Sequence, residues 1–311
     1  MSTDRRPDIK PNFLIVGAAK SGTTSLYHYL SRHDDIFLST VRKEGRHFSG
    51  VGDGSVYWPA YYSFDTAPGW ADYQTLFAAH DGQARIGDTS PDYLAYAHRT
   101  APAVMDRLGP DTRIIAILRD PVSRAWSHYL QNVRREAEFF SFEKTLDLEA
   151  ERAAAGWGFQ WLYALNGRYA DQLPHFMDRF DPLILLQEEL DADAPGVVAR
   201  ILDYLDLPSR DAPPTEGRFN TGGIPADKSA ILQGALDHRA AESFETLHAE
   251  LGAATPDGPS ADGVYPPVKR DEIVYPALSE ASRARLDMLL RPSIDRLSAL
   301  LDRDLSHWGR S

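Results

Sequence analysis

Phe13-Leu14-Ile15-Val16-Gly17-Ala18-Ala19-Lys20-Ser21-Gly22-Thr23-Thr24 is the stretch that decides the fold. Phe13 to Val16 form a short unbroken apolar run ending at Gly17, the pattern of a strand buried on both faces. Helical spacing follows from about Gly22 to Leu30. A strand, a Gly-rich turn and a helix in that order aim backbone N–H groups and the positive helix end at one point, where an anion is favoured. Gly17 and Gly22, five apart, permit the tight turn and a close approach of backbone to phosphate. The spacing is that of a phosphate loop with one departure. A loop built for Mg-ATP places Lys-Ser/Thr after its second glycine. Here Lys20 stands two positions before Gly22, and no strand ending in a metal-binding aspartate is evident. The turn therefore suits a nucleotide whose 5′ end needs a cation without magnesium, and no metal is expected. The bland alternative is a strand–helix turn whose glycine and threonines only cap the helix.

Working outward, the alternation of strand and helix continues. Ile36-Phe37-Leu38 reads as a second strand, Arg113 to Leu118 as a buried one rich in β-branched residues, and Leu183 to Leu186 as another. Asp120-Pro121 is a capping residue followed by proline at the first helical position. The helix it starts carries Val122, Ala125, Trp126, Tyr129, Leu130 and Val133 on one face. Further helices are expected around Pro195 to Leu205 and over Ser279 to Leu301, the latter kinked at Pro292. The pattern predicts an α/β fold: a P-loop-like, mostly parallel sheet flanked by helices. Residues 11–311 read as a single domain after a disordered 1–10, with long loops at 49–73, 208–225 and 252–276.

Bulk properties narrow the class. In 311 residues, 43% hydrophobic, there is ample material for a core. No apolar stretch is long enough to cross a bilayer, and the first ten residues have no signal-like apolar stretch, so no membrane span is expected. Zero cysteines exclude disulfides, thiolate metal sites and cysteine nucleophiles, and point to a cytoplasmic protein. A net charge of −12 disfavours nucleic acid as a partner. Oligomeric state is not legible.

A second anion-binding element follows the strongest strand. Arg119 stands at its carboxyl end, where ligands of open α/β sheets bind. Ser127 lies two turns into the next helix, on the side opposite Trp126 and Tyr129. An arginine and a hydroxyl converging on one point suit a terminal phosphate.

Together these elements resemble the sulfotransferases that use 3′-phosphoadenosine 5′-phosphosulfate (PAPS), in the carbohydrate (heparan-sulfate-like) branch and its bacterial relatives. The matching text is FLIVGAAKSGTTSLYHYL, KEGRHFS, GDTSPDYL, RIIAILRDPVSRAWSHYLQ, NGRY and a C-terminal RDLSHW. The resemblance implies transfer of a sulfuryl group to a hydroxyl of a sugar or small-molecule acceptor, leaving 3′-phosphoadenosine 5′-phosphate (PAP). It implies that Lys20, Ser21, Gly22, Thr23 and Thr24 bind the 5′-phosphosulfate and that Arg119 and Ser127 bind the 3′-phosphate. Arg218, Phe219, Asn220 and Gly222 resemble a loop that closes on the cofactor. Gly167-Arg168-Tyr169 also resembles the family and reads as structural.

Lys20 is placed to neutralise the leaving oxygen, and the acceptor hydroxyl needs a base. Lys43-Glu44 match the start of a family stretch that carries a catalytic glutamate. Arg46 then falls where histidine is usual, unless one inserted residue brings His47-Phe48 into line. Glu44 and His47 both stand as candidate bases. Thr89 occupies a place where the heparan branch commonly has lysine. Tyr57, Trp58, Tyr61, Tyr62, Phe64 and Trp70 crowd one stretch, either to stack on a sugar or to pack a loop. Two other functions stay open: a P-loop kinase or NTPase acting on a small molecule, and a PAP-binding module without catalysis.

Overall fold

A computed structural model of the chain describes residues 9–59, 62, 69–135, 137–138, 140–208, 212–216, 223–225 and 273–310. These fall into two compact units, each assembled from separate stretches. The first gathers Met1–Gly54, Thr66–Arg119 and Tyr169–Asn220, and the second Ser55–Asp65, Asp120–Arg168 and Thr221–Ser311.

The first unit is built on a five-stranded parallel sheet. Strand β1 (Phe13–Gly17) runs into helix α1 (Thr23–Leu30), followed by β2 (Ile36–Leu38) and α2 (Trp70–Thr75). Then come β3 (Arg85–Thr89), α3 (Asp92–Ala95), α4 (Ala97–Leu108) and β4 (Arg113–Leu118). In the second unit lie α5 (Pro121–Arg134) and α6 (Phe142–Ala154). The first unit resumes with α7 (Tyr169–Met177), β5 (Leu183–Leu186), α8 (Gln187–Ala192) and α9 (Ala194–Tyr204). Strand order is β2-β3-β1-β4-β5, with Phe13 opposite both Gly87 and Arg113. The strand that feeds the phosphate loop is thus the central one, and all five of its residues are buried. Leu26 and Leu30 of α1 pack with Phe13, Ile15, Ile115 and Ile117, and with Val198, Ile201 and Leu202 of α9. Covering an all-parallel sheet in this way is what makes its strands read as unbroken apolar runs.

The four strands expected from the sequence are present, and β3 is an addition. The only large apolar side chain in it is Ile86. Gly87 has no side chain because a Cβ there would overlap the Phe13 ring, and Asp88 is buried with hydrogen-bonding partners. Polar burial hid the strand from a hydrophobicity reading. The expected loop at 49–73 is interrupted by the start of α2 at Trp70. The first eight residues, and with them most of the 1–10 segment expected to be disordered, lie outside the described residues, as do 252–272.

The second unit is held by buried polar groups. Arg152 donates to both oxygens of Glu138, at 2.8 and 3.0 Å, and the Tyr163 hydroxyl adds a third bond at 2.8 Å. A buried, bidentate ion pair of this kind is costly to break from one side. Trp58 stacks on Tyr62, and both meet Trp161, so the described aromatics of the 57–62 stretch are used in packing their own loop. Tyr61 and Phe64 lie outside the described residues. Short strands β6 (Ile224–Pro225) and β7 (Ile273–Val274) pair antiparallel, correcting the expectation of plain loops there. The last helix, α10 (Glu280–Leu301), carries Pro292 in its interior. Beyond it, Trp308 is buried and the Gly309 amide donates to Asp120 Oδ1 at 3.1 Å, beside the side-chain cap of α5.

Gly17 marks how closely the loop is wrapped. Its φ is +150°, and a Cβ would lie 2.7 Å from Leu94 Cβ and 3.0 Å from the Pro91 carbonyl oxygen. Gly17→Ala should therefore destabilise the chain by about 1–3 kcal/mol, as overpacking does. Urea unfolding checks this, and an unchanged midpoint would show that the α3 side of the loop yields.

Candidate active site

The phosphate loop turns tightly between β1 and α1. The Ala18 amide donates to the Ile117 carbonyl at 2.7 Å, tying the loop to β4. Lys20 adopts a left-handed backbone at φ 71° and Gly22 another at φ 102°. The Gly22 conformation is the one a residue without Cβ adopts freely. Ser21 is fully buried, and its hydroxyl meets no hydrogen-bond partner among the described residues. A buried hydroxyl left unsatisfied costs free energy, so this atom fits a ligand oxygen. Arg119, at the end of β4, donates from Nη1 to the Lys20 carbonyl at 3.2 Å, and its own carbonyl accepts from the Tyr169 hydroxyl at 3.0 Å. The structure thus brings Arg119 against the phosphate loop. Ser127 lies in the second unit on α5 and is buried, and α5 is covered on nearly every side. Arg218, Phe219, Asn220 and Gly222 lie outside the described residues.

The segment after β2 returns to the loop. Lys43 Nζ donates to Thr24 Oγ1 at 3.0 Å and pairs with Glu44 Oε1 at 3.3 Å. The other Glu44 oxygen is bound by the Arg46 guanidinium. Burial pushes the Glu44 carboxyl up, but the charges of Arg46 and Lys43 and their hydrogen bonds outweigh it and hold it at about 2. Glu44 is therefore firmly ionised and, while so held, a weak base. His47 is placed differently. Its ring stacks on Tyr73 at 4.9 Å and its amide donates to the Tyr93 hydroxyl at 3.1 Å. His47 and Phe48 line a cleft of about 510 Å³ together with Asp53 and with Arg99, Asp106 and Arg107 of α4. Arg107 lies over the Trp70 ring and Arg99 over that of Tyr96.

Asp88 holds this segment in place. Its Oδ2 accepts from Tyr73 at 2.8 Å and Tyr93 at 2.6 Å, and its Oδ1 from Ser90 at 2.7 Å and the Gly45 amide at 3.2 Å. The Arg46 amide donates to Ser90 Oγ at 2.9 Å, extending the network by one bond. Burial still raises the Asp88 pKa above the usual carboxylate value, the hydrogen bonds offsetting only part of it. Asp92 is also fully buried, and that burial pushes it up to about 6 against the pull of Arg46. Neither carboxylate, nor Tyr73, was singled out by sequence reasoning; GDTSPDY, with its acids at Asp88 and Asp92, was the available signal. Thr89 is fully buried, so no solvated side chain stands where the heparan branch has lysine.

Residues 62–211 match the profile described as Sulfotransferase family. This segment belongs to the sulfotransferase family. The chain is 31% identical to human heparan sulfate glucosamine 3-O-sulfotransferase 3B1 over 201 residues, 63% of this chain and 46% of that protein. Human heparan sulfate glucosamine 3-O-sulfotransferase 6 is 31% identical over 226 residues, 71% of this chain and 59% of that protein. The chain spans about half the length of these curated relatives. The crystal structure of a sulfotransferase from Alicyclobacillus acidocaldarius superposes with a TM-score of 0.71 at 28% identity, covering 96% of this chain and 99% of that one. No helix among the described residues is long and apolar enough to cross a membrane.

The ion pairs around Glu44 make a direct prediction. Removing the guanidinium with Arg46→Gln should move the Glu44 carboxyl from about 2 up toward its ordinary 4.5. A carbon-13 NMR titration of the glutamate carboxyls reads the shift. A Glu44 resonance that still titrates near 2 in the variant would assign the whole effect to Lys43.

Proposed function

We propose that this chain moves a sulfuryl group from PAPS to a hydroxyl of a sugar or small-molecule acceptor. The observation that carries the reading is the Lys43 bridge from Thr24 to Glu44, which makes the phosphate loop and a candidate base parts of one network. The donor supplies an activated sulfuryl group and a good leaving group. Lys20, Ser21, Gly22, Thr23 and Thr24 hold its 5′ end, with the unpartnered Ser21 hydroxyl fitting an anionic oxygen. Arg119 and Ser127 take the 3′-phosphate, and Arg218, Phe219, Asn220 and Gly222 close over the nucleotide. Lys20 and the loop amides neutralise charge that develops on the leaving oxygen, by analogy with phosphoryl transfer. Glu44 accepts the acceptor's proton, with His47 as the competing base. No metal is used in this reading.

The cleft beside His47 supports a polar acceptor, since guanidinium and carboxylate groups there match hydroxyls. A carbohydrate is favoured by the matches to heparan sulfate enzymes. A cytoplasmic setting goes with the absence of cysteine, although one relative, 30% identical over 147 residues, is described as a membrane-associated sulfotransferase of Dictyostelium discoideum.

A thermal-shift panel tests the nucleotide. PAP at a hundredfold excess over its Kd should add about 2.7 kcal/mol of stability, and ADP with Mg²⁺ much less. Equal or greater protection by ADP with Mg²⁺ would move the chain to the kinases. Glu44→Gln should keep the PAP shift and lose about 10²–10⁴-fold in acceptor sulfation. If the loss appears in His47→Ala and not in Glu44→Gln, histidine is the base. Protection by PAP with no sulfation of any acceptor in a sugar and small-molecule panel would favour a binding module.

A further inference from the structure

Lys43 reaches the phosphate loop and the candidate base with one ammonium group, and it carries more donor capacity than those two partners use. An ammonium has three N–H donors. One is directed at Thr24 Oγ1, 3.0 Å away, and one at Glu44 Oε1, 3.3 Å away. The Thr24 hydroxyl accepts in this arrangement, so its own proton is left to donate elsewhere. Ammonium and hydroxyl therefore both have donors to spare at the start of α1, where the amides of the phosphate loop also converge. Glu44 meanwhile lies between two cations, one of which it shares with the loop. An anion carrying several oxygens would compete with Glu44 for that shared cation, and Arg46 would remain as the carboxylate's partner.

We propose that Lys43 is a catalytic residue of the transfer proposed above: its ammonium turns from Glu44 to the sulfuryl oxygens of the bound donor, neutralising the group in flight and freeing the base in one movement. This rests on the PAPS reading. In the transfer, the acceptor oxygen bonds to sulfur as the sulfur–oxygen bond to the 5′-phosphate breaks. The bonding pair leaves with PAP, and the acceptor's proton goes to the Glu44 carboxylate. PAP has no sulfuryl oxygens, so with the spent nucleotide bound Lys43 returns to Glu44 and the base is disarmed. Glu44 loses one of its two cations only when the donor is loaded, and its proton affinity rises at that stage alone.

Brief acetylation with acetic anhydride, read by mass spectrometry, tests the contact without any acceptor. PAPS should slow acetylation of Lys43 about tenfold relative to PAP. Both nucleotides should protect Lys20, and neither should protect the exposed Lys10. Lys20 protected by both nucleotides, with Lys43 labelled equally under PAPS and PAP, overturns the proposal and leaves the sulfotransferase reading standing. Lys20 protected by neither takes both down. Lys43→Met should retain the PAP melting shift while PAPS turnover with water as acceptor falls about 10²-fold, the scale of losing one charge-stabilising donor. Lys43→Arg should recover most of that rate, because it restores the charge. Native turnover in Lys43→Met, with PAP still binding, also overturns the assignment.

Discussion

A carboxylate in a dry interior must find donors, and Asp88 finds four. Two come from tyrosines on separate helices, one from a serine two residues along and one from the backbone of Gly45. Because β3 is the direct neighbour of β1, these bonds fix the Gly45–Phe48 segment relative to the strand that feeds the phosphate loop. Without them, Glu44 and Lys43 would lie on a long excursion between β2 and α2 with little to hold them. The position of the candidate base therefore depends on a residue that takes no part in the chemistry. Leaving the two tyrosine hydroxyls and the Gly45 amide buried without an acceptor would also cost far more than the hydrogen bonds contribute on balance.

The electrostatics of the site are local. The chain as a whole carries −12, yet Lys20, Lys43, Arg46 and Arg119 are concentrated on the loop and on segments that contact it. Glu44 pairs with two of these cations, Lys43 and Arg46, and helps hold them in place. An acidic exterior around a basic loop suits a small doubly phosphorylated nucleotide better than a long polyanion, whose many charges would meet the acidic surface.

Legibility in the sequence followed burial chemistry. Phe13–Gly17, Arg113–Leu118 and Leu183–Leu186 are strands whose side chains are covered by other apolar groups, so composition alone betrays them. Arg85–Thr89 is largely buried too, but Asp88 within it is satisfied by hydrogen bonds and Gly87 has no side chain, neither of which leaves a hydrophobic trace. The phosphate loop was readable from local spacing, whereas Glu44 stood out only through the family resemblance, since a charged dipeptide in a loop carries no signal of its own. That Lys43 reaches back nineteen residues to Thr24 is a tertiary fact with no local sign. The burial of Ser127 is likewise a tertiary fact: helical periodicity ranks the faces of a helix but does not say how many are covered.

The bond from the Gly309 amide to Asp120 ties the tail of the second unit to the head of its first long helix, across 189 residues of chain. Asp120 already caps that helix through the amides of Val122 and Ser123, so the tail acts as a clasp on the cap. Trimming the chain before Trp308, or crowding its end with a fused tag, would loosen the capped first turn of the helix that carries Ser127, with no change to any residue near it in sequence.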